Sequence, residues 1–196
     1  MSLVASLRDR SQREDGFTMS ELVVYSLILA LVLGTVGAIM ISMQRVERDV
    51  RLSTGAATQA QFAADNIADG IRNSRSFDVV ISGLAEEGDA MLMASTANRS
   101  SDVVWECSVW YYSALEHTIR SHTSGDTIPN PPSSSAILGW TLLAEDVNLS
   151  DSSDIFSRSG SQVLIQFETV VNDNTAAVIT SSATSRAGEW VSSPCF

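Results

Sequence analysis

The sequence predicts an α+β fold in which a long N-terminal, membrane-spanning α-helix packs on a mostly antiparallel β-sheet. An apolar run without charged residues lies near the N-terminus, and a helical pattern follows it to about residue 74. From residue 77 onward, apolar residues instead recur at every second position, as they do in strands. A helix followed by strands is the α+β arrangement, in which the sheet covers one side of the helix.

Length and charge limit the functions that the chain can have. Its 196 residues suffice for one domain plus an anchor. The formal net charge is −11, from 23 acidic and 12 basic residues, and the basic residues are not gathered in one segment. Acidic chains of this kind lack the positive surface that nucleic acids require. We therefore predict no nucleic-acid partner.

The apolar run extends from Leu22 to Met43 and contains no Asp, Glu, Lys or Arg. As a helix it would be roughly 33 Å long at about 1.5 Å per residue, enough to cross a hydrocarbon core of about 30 Å. The alternative is a buried helix of a soluble protein. Because the run is apolar on all sides and charged segments border both ends, the sequence favours a membrane span.

The helical pattern continues beyond this span. Apolar residues recur at spacings compatible with one helical face, namely Val46, Val50, Phe62, Ile67 and Ile71. Charged residues occupy most other positions of the first turns. We predict a single helix from Phe17 to about Ser74.

A processing motif precedes the apolar run. A secretory signal peptide would be cut after its apolar run, but residues 40–44 offer no small-x-small site. Residues 13–22 read REDGFTMSEL. This segment resembles the processing site of type IV prepilins, in which a polar leader ends in Gly, the next residue is usually Phe, and a Glu stands fifth after the cut. Gly16, Phe17 and Glu21 meet these conditions, and the apolar run follows at once.

The resemblance implies how the chain is processed and divided. Residues 1–16 would be a leader removed by a prepilin peptidase, which also N-methylates Phe17. Residues 17–43 would be the transmembrane part of the helix, 44–76 its extracytoplasmic part, and 77–196 a globular β-rich domain. The protein would then be a single-pass protein of the cytoplasmic membrane with its C-terminal domain outside, and a part of a cell-surface filament or pseudopilus after assembly.

The distribution of arginine gives a weaker indication of orientation. Arginines before a span favour a cytoplasmic leader, but arginines directly after it favour the opposite orientation. The chain has both sets, namely Arg8, Arg10 and Arg13 before the span and Arg45, Arg48 and Arg51 after it. The predicted orientation therefore depends on the family resemblance.

Glu21 is the residue to which the resemblance assigns a role in assembly. A carboxylate at the end of a membrane helix is costly and is expected to have a partner. In the family, this Glu pairs with the free N-terminal amine of a neighbouring subunit. The alternative is that Glu21 lies at the headgroup level, where the positive end of the helix dipole stabilises it.

Three segments after residue 77 have the alternating pattern of strands, with a loop between the first two. The strands are Asp102–Tyr112, Gln162–Val171 and Ala177–Thr184, and the loop is Thr123–Ser135. In the first strand, Val103, Trp105, Cys107, Val109 and Tyr111 share one face.

The order of these features loosely resembles J-type minor pseudopilins and W-type minor pilins. That resemblance implies an early hairpin at Trp105–Ile119, a segment Leu142–Val147 before the next strands, and a closing strand at Val178–Arg186.

Cys107 and Cys195 are the only cysteines. A disulfide between them would close a loop of about 88 residues, and an exported domain permits such a bond. The alternative is two free thiols. We favour the disulfide because a cysteine next to the C-terminus contributes little to packing unless it fastens the tail.

The sequence has no recognisable catalytic or metal-binding motif. His117 and His122 have no Cys or carboxylate at a zinc-site spacing, and they are expected to be exposed. Calcium is an open alternative at the acidic loop formed by Asp146, Asn148, Asp151 and Asp154, although the loop lacks the glycine and distal glutamate of an EF-hand. We predict no catalytic residue, no metal site and no cofactor.

The sequence therefore predicts a structural protein. The resemblance implies a minor pilin or pseudopilin that is incorporated into, or initiates, a type IV filament or a type II secretion pseudopilus. Its partners would be the prepilin peptidase, the membrane and other pilin or pseudopilin subunits, which it contacts through the N-terminal helix. The alternative is a binding module that the filament carries for adhesion or for capture of DNA or a substrate. An enzyme tethered to the membrane is the third reading, which the missing motifs disfavour.

Overall fold

A computed structural model of the chain describes residues 16–99, 103–150, 154–171, 174–186 and Cys195. The chain divides into two compact units, of which the first ends at Asp49 and the second begins at Val50. The predicted α+β class is confirmed, since a long apolar N-terminal helix is followed by antiparallel strands. The elements are α1 (Met19–Arg72), β1 (Ser74–Val80), β2 (Ala90–Arg99), β3 (Val103–Ser113), β4 (Thr118–Ser124), α2 (Ser134–Leu138), β5 (Thr141–Ala144), β6 (Val147–Asn148), β7 (Phe156–Ser159), β8 (Gln162–Val171) and β9 (Asn174–Thr184).

The strands form two antiparallel sheets. In the first sheet, each strand pairs with the next in the order β1-β2-β3-β4-β5. In the second, β8 pairs with β9 along one edge, and β6 and β7 pair with the two ends of β8 along the other. All these pairings join strands that are close in sequence, so the sheets need no crossover connection.

The predicted elements differ from the observed ones mainly at their ends. The helix ends at Arg72 and β1 begins at Ser74, so the strand region starts three residues before the predicted boundary at residue 77. The strand Gln162–Val171 is confirmed without change, and the predicted strand Ala177–Thr184 lies within β9. The predicted closing strand Val178–Arg186 ends two residues earlier than expected, at Thr184. The predicted loop 123–135 is shorter than expected, because β4 continues to Ser124 and α2 begins at Ser134.

In the second unit, α1 contacts the sheets through a strip of small and branched side chains. This strip is fully buried and consists of Ala60, Ala63, Ala64, Ile67, Ala68 and Ile71. The predicted continuation of the helix is confirmed, since α1 contains all five apolar residues of the pattern, but of these only Ile67 and Ile71 are buried. Alanine lets a helix approach a sheet closely, so in these turns the residue type that faces the core is small rather than large.

The central part of the first sheet is buried on both faces. On the helix side, Trp110 and Tyr112 pack with the buried strip of α1 and with the inner residues of the second sheet. On the other side, Cys107, Val109 and Tyr111 form a second cluster with residues from α2 and the loop before it. The prediction that Cys107, Val109 and Tyr111 share one face is thus confirmed, and the apolar side chains of the opposite face belong to a separate core.

Arg158 on β7 connects the second sheet to β1 of the first. Its guanidinium donates a hydrogen bond to the carbonyl oxygen of Phe77 at 3.2 Å and lies 3.3 Å from the carboxylate of Asp78. The same guanidinium lies over the Phe77 ring, 4.9 Å from its centroid. Together these contacts fix the edge of one sheet against the other.

The closest approach between helix and sheet occurs at Gly70. A Cβ atom at this position would overlap with Cη2 and Cζ2 of the Trp110 ring, so the ring or the helix would have to move. Glycine is therefore required at position 70 for the observed packing of α1 on β3.

We expect Gly70→Ala to lower the free energy of unfolding by about 1–2 kcal/mol, because the clash with the Trp110 ring outweighs the gain in helix propensity. Thermal unfolding of the purified full-length protein, followed by near-UV circular dichroism, measures the effect. Gly55→Ala is the matched control, since no atom lies within 4 Å of a Cβ at Gly55. This control should be neutral or stabilising by up to about 1 kcal/mol. Equal midpoints for the two variants would contradict the proposed contact.

Candidate functional site at the start of the apolar helix

The predicted cleavage junction lies just outside the helix. Helix α1 begins at Met19, two residues later than predicted, so Gly16, Phe17 and Thr18 have no regular secondary structure. The Phe17 side chain is 72% exposed, and no atom lies near the position of a Cβ at Gly16. A non-helical, exposed peptide bond is one that a peptidase can reach without unwinding a helix.

Thr18 caps the helix N-terminus. The backbone N–H of Glu21 donates to the carbonyl oxygen of Thr18 at 3.0 Å and lies 3.3 Å from its hydroxyl oxygen, while Leu22 N–H donates to the same carbonyl at 3.2 Å. Thr18 and Glu21 stand at the spacing of a capping box, in which a Thr side chain satisfies the N–H three residues later. Helix formation therefore starts directly after the predicted junction.

Glu21 and Phe17 both contact Tyr25. The Tyr25 hydroxyl donates a hydrogen bond to Oε1 of Glu21 at 3.3 Å, one helical turn away. The Phe17 ring packs edge-on against the Tyr25 ring, with centroids 5.9 Å apart and an interplanar angle of 71°. Tyr25 thus lies between the predicted new N-terminal residue and the predicted assembly carboxylate. Among the described side chains, it provides the hydrogen bond that Glu21 accepts.

Sequence analysis did not identify Thr18 or Tyr25 as part of this site. The Thr-x-x-Glu spacing of the capping box was available in the sequence, as was the four-residue spacing of Glu21 and Tyr25. The contact of Phe17 with Tyr25 was not available, because it depends on how the residues before the helix turn back onto it.

The apolar run that follows is exposed at every residue except Gly37, which is half-buried. Within the described chain, α1 is the one helix long and apolar enough to cross a membrane, and none of its most apolar segment is buried in the protein. Two of its hydroxyl groups are satisfied by the helix itself, since Ser26 donates to the Val23 carbonyl and Thr35 to the Val32 carbonyl, each at 2.8 Å. Such internal bonds remove the cost of placing these hydroxyls in hydrocarbon.

The structure brings Cys107 and Cys195 to disulfide distance, as the predicted pairing requires. Their Cα atoms lie 5.0 Å apart across 88 positions of sequence, and both residues are buried. Cys107 is in the middle of the first sheet, so the bond connects the C-terminal end of the chain to a central strand.

The remaining candidate residues do not assemble into a site. His117 and His122 are both exposed, as expected, and His122 stacks on Trp140 with ring centroids 5.5 Å apart. Of the calcium candidates, Asp146 and Asp154 are exposed and Asn148 is half-buried, whereas Asp151 is outside the described residues. Within the described part of the chain, no three His, Cys, Asp or Glu side chains are close enough to share a metal ion.

Asp89 is a buried carboxylate that sequence analysis did not single out. It accepts hydrogen bonds from the Tyr111 hydroxyl, from Ala114 N at 2.8 Å and from Glu86 N at 3.1 Å. Burial, together with this carboxylate, raises the pKa of Tyr111 well above its usual value, so the hydroxyl stays protonated as a donor. The network holds two loops against β3, which is a structural role.

Comparison of the chain with protein-family models, with curated proteins and with solved structures finds no match. A functional assignment must therefore be argued from the residues themselves. The residues most informative about function lie at the start of the exposed apolar helix. They are Gly16, Phe17, Thr18, Glu21 and Tyr25.

We expect the sulfur atoms of Cys107 and Cys195 to be covalently linked in protein exported from the cytoplasm. Non-reducing peptide mapping should show one linked pair, and Cys107→Ser should lower the free energy of unfolding by about 4–5 kcal/mol on the chain-entropy model for a loop of this length. The double variant Cys107→Ser/Cys195→Ser is the control, because a reductant should shift its unfolding midpoint much less than that of the wild type. Two free thiols in exported protein would contradict the pairing.

Proposed function

We propose that the chain is a structural minor pilin or pseudopilin, and not an enzyme, which is built into or initiates a type IV filament or a type II secretion pseudopilus. The observation that carries this proposal is the arrangement at the start of α1. An accessible Gly16-Phe17 junction, a capped helix start and the carboxylate of Glu21 come directly before an apolar helix that nothing in the described protein covers.

The exposed apolar helix supports a subunit that remains in the membrane until it assembles. About twenty apolar residues in a helix are stable in a bilayer, and they are also stable when other helices surround them in a filament. The second unit has its own buried core, and none of the most apolar segment of α1 is buried in the described protein. The first unit is thus available to the membrane and to neighbouring subunits, and the β-rich unit would lie outside the cytoplasm.

Glu21 supports a specific assembly mechanism. A carboxylate among apolar helices costs several kcal/mol unless a positive group compensates it. Removal of residues 1–16 would create such a group, the amine of Phe17, on every processed copy. The hydrogen bond from Tyr25 is neutral and compensates the charge only in part, so pairing with the amine of a neighbour remains favourable.

The first prediction from this proposal is that the mature chain begins at Phe17 and carries a methylated amine. Intact-mass and N-terminal analysis of protein isolated from membranes should show loss of residues 1–16. A Gly16→Val variant should keep its leader, because the branched side chain alters the residue that precedes the cut. A mature protein that begins at Met1, or one cut after Ser42, would refute the processing model.

The second prediction is that Glu21→Val is inserted and cleaved normally but is incorporated into filaments poorly. Cleavage depends chiefly on Gly16, whereas assembly requires the carboxylate to compensate a neighbour's amine. The measurement is the ratio of variant to wild type in sheared filaments from cells that express equal amounts of both. Tyr25→Phe removes only the hydroxyl donor and should have an intermediate effect.

Asp49→Val is the control for the loss of one carboxylate from the same helix. It lies outside the apolar run and should be incorporated like the wild type. Normal incorporation of Glu21→Val would refute charge pairing for a subunit within the filament.

A further inference from the structure

A groove in the second unit opens between the last turns of α1 and the helix-facing side of the first sheet. Its volume is about 430 Å³. The helix contributes Phe62, Asp65 and Asn66 to one wall, and Trp110 on β3 closes one end of the floor. The groove lies entirely within the second unit and includes none of the residues assigned to assembly.

The floor of the groove begins where the apolar core ends. Trp110 is the last large core residue on this side of the sheet, and beyond it the same face continues with Thr96 on β2, Ser108 on β3 and Thr123 on β4. These side chains are too short to fill the space between a helix and a sheet. The groove is therefore a consequence of the sequence on three separate strands.

The three hydroxyl groups form one hydrogen-bonded row. Thr96 donates to the carbonyl oxygen of Glu106 at 3.4 Å, and its oxygen lies 2.9 Å from that of Ser108, which lies 3.1 Å from that of Thr123. With Thr96 donating to the carbonyl, Ser108 donates to Thr96 and Thr123 donates to Ser108. The lone pairs of Thr123 then remain available, so the row presents hydrogen-bond acceptors to the groove.

The helix wall adds donors, acceptors and an apolar surface. Trp110 Nε1 donates to Oδ1 of Asn66 at 2.8 Å, which fixes the amide so that its NH₂ group stays available as a donor. Asp65 uses Oδ1 to accept a bond from Gln61 at 3.1 Å and keeps Oδ2 available. The Phe62 ring is 59% exposed and lines the same groove.

We propose that this groove binds a neutral polyhydroxylated ligand, an oligosaccharide. Sugar hydroxyl groups both donate and accept, which matches the fixed row of acceptors and the amide donor, and the C–H faces of a sugar ring pack on an exposed aromatic ring. The proposal adds a recognition role to the subunit role and does not depend on membrane insertion or processing.

Charge discriminates against the other ligand classes. Among the described residues, those that line the groove include the carboxylates of Asp65 and Asp69 and no arginine or lysine, which disfavours anionic ligands such as nucleic acid. Asp69 is already paired with Arg72 at 3.0 Å, which lowers the attraction for a strongly cationic peptide. The uncharged hydroxyl and amide groups then determine the ligand class.

Binding is tested with full-length protein in nanodiscs of phosphatidylcholine, since glycosidic detergents would compete for the groove. The probes are maltohexaose, cellohexaose and chitohexaose, and saturation-transfer NMR together with titration calorimetry detects binding. We expect at least one of the three to bind, with contacts to the protein through its ring C–H groups. Absence of binding by all three at millimolar concentration overturns the proposal.

Three variants locate the bound sugar. Thr123→Val removes one hydroxyl from the row at nearly constant shape, and Phe62→Ala removes the exposed ring. Each should weaken binding at least tenfold. Thr141→Val, an exposed strand threonine of the same sheet that does not line the groove, should leave binding unchanged. Equal affinities for all three variants would place the sugar elsewhere and overturn the proposal.

A cationic peptide is tested with nona-arginine under the same conditions. If nona-arginine binds and the hexasaccharides do not, and if Asp65→Asn abolishes that binding, the groove recognises cationic peptides and the sugar proposal is wrong. A negative result in the sugar-binding experiment would not change the processing and incorporation results. The proposed subunit role and the proposed sugar binding are therefore tested independently.

Discussion

The close contact between the last turns of α1 and the central strand β3 is the constraint on which the rest of the second unit depends. Small side chains, with Gly70 at the nearest point, allow the helix to pack closely on Trp110. Because the helix lies so close to the first sheet, it contacts the inner faces of both sheets. The close packing of α1 on Trp110 also determines where the apolar core ends. The groove beyond Trp110 exists because the helix is held at that separation while the sheet residues become short and polar.

The sequence was most informative where one pattern decides the structure without help from distant residues. The long helix followed from its apolar run, and β8 followed from clear alternation. In contrast, β2 was not predicted, because Met91, Leu92, Met93 and Ala94 are buried on both faces and so do not alternate. The short strands β5, β6 and β7 have too few residues for any periodicity, and they become strands only through their neighbours.

The same distinction applies to the candidate sites. Gly16, Phe17 and Glu21 form a linear motif, so the sequence sufficed to single them out, although their role in assembly stays a prediction. The pairing of Cys107 with Cys195 needed no geometry, because no other cysteine exists. The groove could not be predicted, since its residues come from a helix and three strands that only the folded domain brings together.

The capped start of α1 determines what cleavage would change. The bonds that begin the helix all involve Thr18 and residues after it, and the contact of Phe17 with Tyr25 also lies on the mature side of the junction. A cut after Gly16 would therefore leave the helix and its first contacts intact. The cut would place a positive amine at Phe17, where the precursor has an uncharged peptide bond. At this end of the described helix, the change that cleavage makes would therefore be one of charge.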